Sequence, residues 1–215
     1  MSAPDKAEFL SRARAIVPVL AAEAPAARAA FRMSDKSIAA MREAGFFRLL
    51  QPRAHGGYEL DPRAVYESEM IIGEGDMSAA WILGVSGVIS WLAALFDARA
   101  ADDIWGKSPD AIFCCALRRN GVATPVEGGF RLTGRWTYAS GCQHSQWAVV
   151  GGMRGVEKPV VDDHLLLLAP RKDFEIIDTW RPPGLQATGS HDIAMKDIFV
   201  PAHRAIRMID LVSCK

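Results

Sequence analysis

The chain has 215 residues, of which 50% are hydrophobic, and its 25 Lys plus Arg balance 25 Asp plus Glu. A net charge of zero gives no electrostatic footprint for nucleic acid or an anionic membrane, so neither partner is expected. The length suffices for one large or two small domains with proper cores.

The start, Met1-Ser2-Ala3-Pro4-Asp5-Lys6, runs directly into an amphipathic pattern without signal-peptide organisation, so a cytoplasmic location is expected. Phe9, Ala13, Ile16 and Leu20 recur at helical spacing, with Pro18 expected to kink or interrupt that helix. Ser34 or Asp35 caps a second helix that reaches Met41 and is ended by Gly45. Asp61-Pro62 starts a third, since proline suits the first helical turn. A fourth begins near Ser78, with Asp76 as cap, and Asp97 opens a short fifth through Ile104 and Trp105. The apolar run from Met77 to Phe96 is punctuated by glycine and serine, which predicts a buried helix rather than a membrane span. Gly84-Val85-Ser86-Gly87 lacks the five-residue nucleophile pattern, so hydrolase chemistry is not expected there.

Near Pro109 the pattern changes. Ala111–Leu117 is a continuous apolar run, and Trp147–Val150, His164–Ala169, Phe174–Ile177 and Ile198–Val200 follow as short strand candidates between Pro/Gly/Asp loops. The fold class is therefore α+β: an all-α domain over 1–108, then a β-barrel or sandwich domain over 109–204. Cys114, Cys115, Cys142 and Cys214 lack metal-ligand spacing, and Cys114 and Cys115 point to opposite faces of a strand. All four are expected to be reduced, and no metal site is expected. No glycine-rich phosphate loop follows a strand, so direct nicotinamide binding is not indicated either.

The stretch from Gly129 to Gly141 carries the most information. Gly128-Gly129 predicts a tight turn, and Phe130, Leu132, Trp136 and Tyr138 alternate with polar residues as in a half-buried strand. Flat apolar walls, glycine and one hydroxyl, Ser140, are what a planar aromatic cofactor requires; an ordinary core hairpin has the same pattern. His144 follows in a loop, able to polarise a phenol or simply to bond backbone. His191 adjoins Asp192, His55 precedes a Gly-Gly turn, and His164 is expected on the surface.

GGFRLTGRWTYASGCQHSQWAVVGG, residues 128–152, resembles the middle-domain segment of the acyl-CoA dehydrogenase superfamily, and within it the flavin-dependent monooxygenase branch. That branch comprises the oxygenase components of two-component aromatic hydroxylases. GLQATGSHDIAMKDIFVPAHR (Gly184–Arg204) resembles the loop and strand that close the family's β domain. PRAHGGYELD (Pro52–Asp61) and GDMSAAW (Gly75–Trp81) are weaker matches in the same order. The resemblance implies that Tyr138 packs against a flavin ring and that the Ser140 hydroxyl approaches its reactive edge. Trp136 joins them as a further cofactor-facing aromatic, although strand alternation alone explains it. His191 lies in the loop that reaches the family's active centre, and His144 becomes the candidate substrate contact.

The implied activity is hydroxylation of an aromatic or other hydrophobic small molecule with O2 and reduced FMN or FAD, through a flavin hydroperoxide. A separate flavin reductase and a homo-oligomer are implied with it. Family members continue past the Arg204 position into a C-terminal four-helix bundle, whereas only 205–215 follow here. A truncated form is therefore expected, with Trp81, Trp91 and Phe96 left as exposed apolar surface. Two alternatives stay open: acyl-CoA dehydrogenation, and an inactive fragment. Phe113-Cys114-Cys115-Ala116-Leu117-Arg118-Arg119, where dehydrogenases carry a Thr-Glu-Pro segment, favours the oxygenase branch.

Overall fold

The computed structural model describes residues 4–106, 108–155, 160 and 163–213, so Cys214 lies outside the described residues. Helix α1 (Lys6–Ala30) is capped by Asp5, whose carboxylate accepts from the Glu8 amide. It runs unbroken through Pro18 and Pro25, contrary to the interruption expected at Pro18. Both prolines face solvent, where water satisfies the carbonyls they orphan, and the opposite face buries Phe9, Ala13, Leu20, Ala24 and Ala27.

Helices α2 (Asp35–Glu43), α4 (Met77–Ala93) and α5 (Ala98–Trp105) start at the expected caps, Ser34, Asp76 and Asp97, and α3 (Arg63–Gly73) follows Pro62. The Asp76 cap is buried: one oxygen accepts from the Ser78 amide, while the other has no partner among the described residues. Burial raises its pKa despite the bonds from Ser78. Asp76→Ala should therefore cost about 1 kcal/mol through the lost cap. Asp76→Asn should keep the cap, remove the buried charge and match or exceed wild type in urea unfolding. A loss in the Asn variant equal to that in Ala would refute this.

A seven-stranded sheet follows, in the order β5-β6-β2-β1-β3-β4-β7. Its strands are β1 (Phe113–Val126), β2 (Gly129–Trp136), β3 (Trp147–Arg154), β4 (His164–Pro170), β5 (Glu175–Ile177), β6 (Asp192–Pro201) and β7 (Ala205–Arg207), with a short helix α6 (Met208–Val212) after them. Every neighbouring pair is antiparallel except β1 and β3, which run parallel. The β1–β2 hairpin pairs Val126 with Gly129, so its turn is Glu127-Gly128, one residue earlier than expected, with Gly128 at φ +77°.

Alternation divides the apolar strand residues between two cores. Cys114, Val150, Leu165 and Leu167 join Leu132, Trp136 and Ile193 inside the sheet's curl, where β4 also touches β6 across three intervening strands. Phe113, Val149, Leu166 and Leu168 point outward onto Ile89 of α4 and Ile104 and Trp105 of α5. Burial on both faces is why β3 and β4 read as continuous apolar runs. Cys114 and Cys115 do point to opposite faces. Two surface expectations fail: Phe96 is only 7% exposed, packed with Trp105 and Ala100, and His164 is buried, bonded through Nε2 to the Leu117 carbonyl. Trp81 and Trp91 are exposed as expected, at 49% and 51%. No helix among the described residues is long and apolar enough to cross a membrane.

Candidate functional site

The parallel pairing of β1 with β3 forces the chain, after β2, to cross back over the end of the sheet, and residues 137–146 make that crossing. Tyr138 lies just outside β2 in the left-handed region, φ +62°, so its ring is exposed rather than continuing the inward alternation. It meets the Trp180 ring edge-on, 5.9 Å between centroids at 89°. The Ala139 amide donates to the His191 carbonyl and the Gly141 amide to the Thr188 carbonyl, tying the crossing to the 185–191 segment. Gly141 sits at φ +75°, and a Cβ there would come 2.9 Å from Ile82 of α4. Three elements thus meet at Ser140.

Ser140 is buried at the head of a hydroxyl relay. The Trp81 indole N–H from α4 donates to its Oγ at 2.9 Å, and that oxygen lies 2.7 Å from the Ser190 Oγ. Ser190 is in turn 2.7 Å from the Thr188 Oγ1, and Thr188 donates to the Leu185 carbonyl at 2.9 Å. An indole N–H can only donate and a carbonyl can only accept, so the two ends fix the direction. Thr188 gives its hydrogen to Leu185, Ser190 to Thr188, and Ser140 to Ser190. What Ser140 has left is one lone pair. It can accept a hydrogen bond from a ligand and has no hydrogen to give one.

His191 lies beside this relay, and its side chain is almost fully buried. Its Nδ1 accepts from the backbone amides of Thr179 and Trp180, both at 3.2 Å. Two donors on one nitrogen leave no place for a proton there, so the neutral ring carries its hydrogen on Nε2. Burial lowers the pKa of His191 in the same sense, only partly opposed by Asp178. The Asp178 carboxylate, 3.2 Å from Nδ1, is held instead by two bonds from Arg181.

No family model matches the chain. It is 37% identical over 202 residues to the oxygenase subunit HsaA of a flavin-dependent monooxygenase from Rhodococcus jostii, covering 92% of this chain and 51% of that protein. It is 30% identical to the oxygenase component of an FADH2-dependent resorcinol hydroxylase from Rhizobium, with 95% and 50% covered. Among solved structures, XiaF from Streptomyces in complex with FADH2 and glycerol superposes with a TM-score of 0.88 at 31% identity, covering 94% of this chain and 51% of that one. The chain is a homologue of flavin-dependent monooxygenase oxygenase subunits. It spans about half the length of the curated relatives it matches.

In this monooxygenase homologue the other expected site residues lie apart from the relay. The His144 Nε2 donates to the Met33 carbonyl between α1 and α2, 3.0 Å away, and its Nδ1 is 3.7 Å from Asp35. Trp136 is fully buried in the sheet, with its N–H donated to the Gly151 carbonyl at 2.7 Å. Ser86, the would-be nucleophile, accepts from the Phe113 amide and joins α4 to β1. The sequence reading named Trp81 only as exposed apolar surface and did not single out Thr188 or Ser190. All three were inside the quoted GDMSAAW and GLQATGSHD segments, but nothing in the spacing joins a tryptophan to a serine 59 positions away.

Burial lowers the pKa of His144, His164 and His191 from the ordinary 6.5. For a base whose folded pKa is depressed, the unfolded chain protonates first as pH falls. Stability should therefore decline as pH drops below 6.5, and His144→Gln should flatten that decline in urea titrations. An unchanged slope in the variant would contradict this.

Proposed function

We propose that the protein hydroxylates an aromatic or similarly hydrophobic small molecule, using O2 and reduced FMN or FAD delivered by a separate reductase. We assign Ser140 to the reactive edge of the flavin ring, Tyr138 to its face, and His191 to the catalytic surroundings. The single observation that carries this reading is the lone-pair-only valence of Ser140. A reduced flavin presents an N–H at the reactive edge and an oxidised flavin presents a bare nitrogen there. Ser140 fits the first and repels the second.

Bound reduced flavin supplies the two electrons with which O2 places one oxygen atom in the substrate and releases the other as water. The chain's own contribution is to hold and to orient. Trp81 and Ser190 fix the Ser140 hydroxyl, the exposed Tyr138 ring braced by Trp180 offers a flat wall, and His191 offers an Nε2–H with no protein acceptor among the described residues. Trp136 supports the site from beneath as the last residue of β2, and His144 is kept as a candidate on the substrate side. The organisation we propose is a helical unit over 1–108 and a β unit over 109–204, with the full protein a cytoplasmic homo-oligomer.

The test is turnover with NADH, a flavin reductase held as a separate protein, O2 and a panel of phenols. Product that requires the reductase and incorporates one atom of labelled O2 is expected. Bleaching of bound oxidised flavin by an acyl-CoA thioester, with no oxygen incorporation, would favour dehydrogenation and overturn the proposal.

A further inference from the structure

A polar cavity of about 330 Å³ lies between α2 and the crossing loop, lined by Arg32, Asp35, Arg42, Gln143, His144 and Gln146 beside Ile38 and Ala39. We propose that this cavity is a binding site for a small-molecule oxyanion, a carboxylate or phosphoryl group, gripped by Arg42 and Arg32. The inference does not rest on the monooxygenase reading, although His144 also stands as a substrate-side candidate there.

The first support is an unmet donor. The Arg42 Nε is buried and has no hydrogen-bond partner, and no ion pair reaches its guanidinium among the described residues. A buried charged donor left unpaired is costly, and a guanidinium in that position calls for an acceptor that the chain does not supply. The second is the local charge. Two guanidiniums face the cavity against one carboxylate, Asp35, which is committed to Arg32 at 2.6 Å and is largely exposed. His144 adds no competing negative charge; its Nε2–H is spent on the Met33 carbonyl.

The remaining groups narrow the ligand. Gln146 is consumed, its oxygen accepting from the Ile112 amide and its nitrogen donating to the His144 carbonyl. Gln143 makes no side-chain hydrogen bond among the described residues. Its Oε1 packs over Gly189, where a Cβ would come within 2.4 Å, and its NH2 has no acceptor among the described residues. The donors left for a ligand are the Arg42 guanidinium, part of the Arg32 guanidinium and one amide, against two acceptors, the Asp35 carboxylate held by Arg32 and the His144 Nδ1. Planar guanidinium forks match carboxylate and phosphoryl oxygens, whereas a cation or a neutral apolar ligand would leave every one of them unpaired.

The experiment is a titration of the chain with sodium phosphate and, separately, sodium acetate, with ionic strength held constant by sodium chloride. Arginine Nε–H signals are followed by 1H–15N spectroscopy, with Arg42 assigned by Arg42→Lys. Saturable shifts at Arg42 and Arg32, with affinity reduced about tenfold or more in Arg42→Gln and unchanged in Arg14→Gln, are expected. Tighter phosphate binding would name a phosphoryl group as the natural ligand, and equal or tighter acetate binding a carboxylate. If Arg42→Gln fails to fold, Gln143→Ala should still weaken binding. Shifts that follow chloride alone, or saturable binding that survives both variants unchanged, would overturn the site.

Discussion

Trp136→Ala is expected to destabilise the chain by about 3–5 kcal/mol, the range for emptying a large aromatic from a packed core. The indole is fully buried and lies against two glycines: a Cβ on Gly121 or Gly134 would come within 2.5 Å or 2.7 Å of its ring. One side of the ring rests on the backbone of Gly121 and Gly134, which has no side chain to move into the space. The Gly151 carbonyl would also lose its indole donor. Trp136→Phe should cost less, since it restores most of the packing and forfeits the hydrogen bond, worth about 1 kcal/mol. Gly121→Ala should cost about 1–3 kcal/mol by overpacking against the same ring, and less than that in the Trp136→Phe background. Urea unfolding of the four proteins decides it. A loss under about 1 kcal/mol for Trp136→Ala would show that the ring does not hold the sheet's curl.

Ser140→Ala should leave the fold intact and separate oxygen consumption from hydroxylation. The substitution deprives the Trp81 N–H of its acceptor and Ser190 of its donor, and it removes the lone pair that Ser140 would offer a ligand. Losing a hydrogen bond to a charged or strongly polarised partner costs about 1.5–3 kcal/mol, so the hydroxylated fraction of consumed O2 should fall about ten- to a hundredfold. Hydrogen peroxide should make up the difference. Unchanged coupling in Ser140→Ala, with the folded state confirmed by its unfolding curve, would remove Ser140 from the assignment while leaving the reaction type standing.

What the sequence disclosed about the fold is mostly local. Ser34, Asp76 and Asp97 were readable as caps because a cap acts within three residues. The apolar runs of β3 and β4 were readable because burial on both faces needs no partner to be named. Features set by packing between elements were not readable. Pro18 passes inside a helix because the other face of α1 is buried, Phe96 is covered once α5 folds back on it, and His164 is covered by a strand 47 residues away. The parallel pairing of β1 with β3 has no local signature, yet it is what carries the Ser140 loop back to α4. At the candidate site, Ser140 and His191 were singled out by motif likeness. The direction of the relay depends on Trp81 and Leu185, which only the folded chain brings to its two ends.

The most direct test of the central claim is an anaerobic titration of the protein with reduced and with oxidised flavin, FMN and FAD separately. Ser140 as an obligate acceptor predicts tighter binding of the reduced form, about tenfold or more for one well-placed hydrogen bond. Ser190→Ala provides the internal control, because it frees the Ser140 hydrogen and should narrow that preference without touching the ligand's other contacts. Equal or tighter binding of oxidised flavin by the wild type, or a preference unmoved in both Ser140→Ala and Ser190→Ala, would contradict the account.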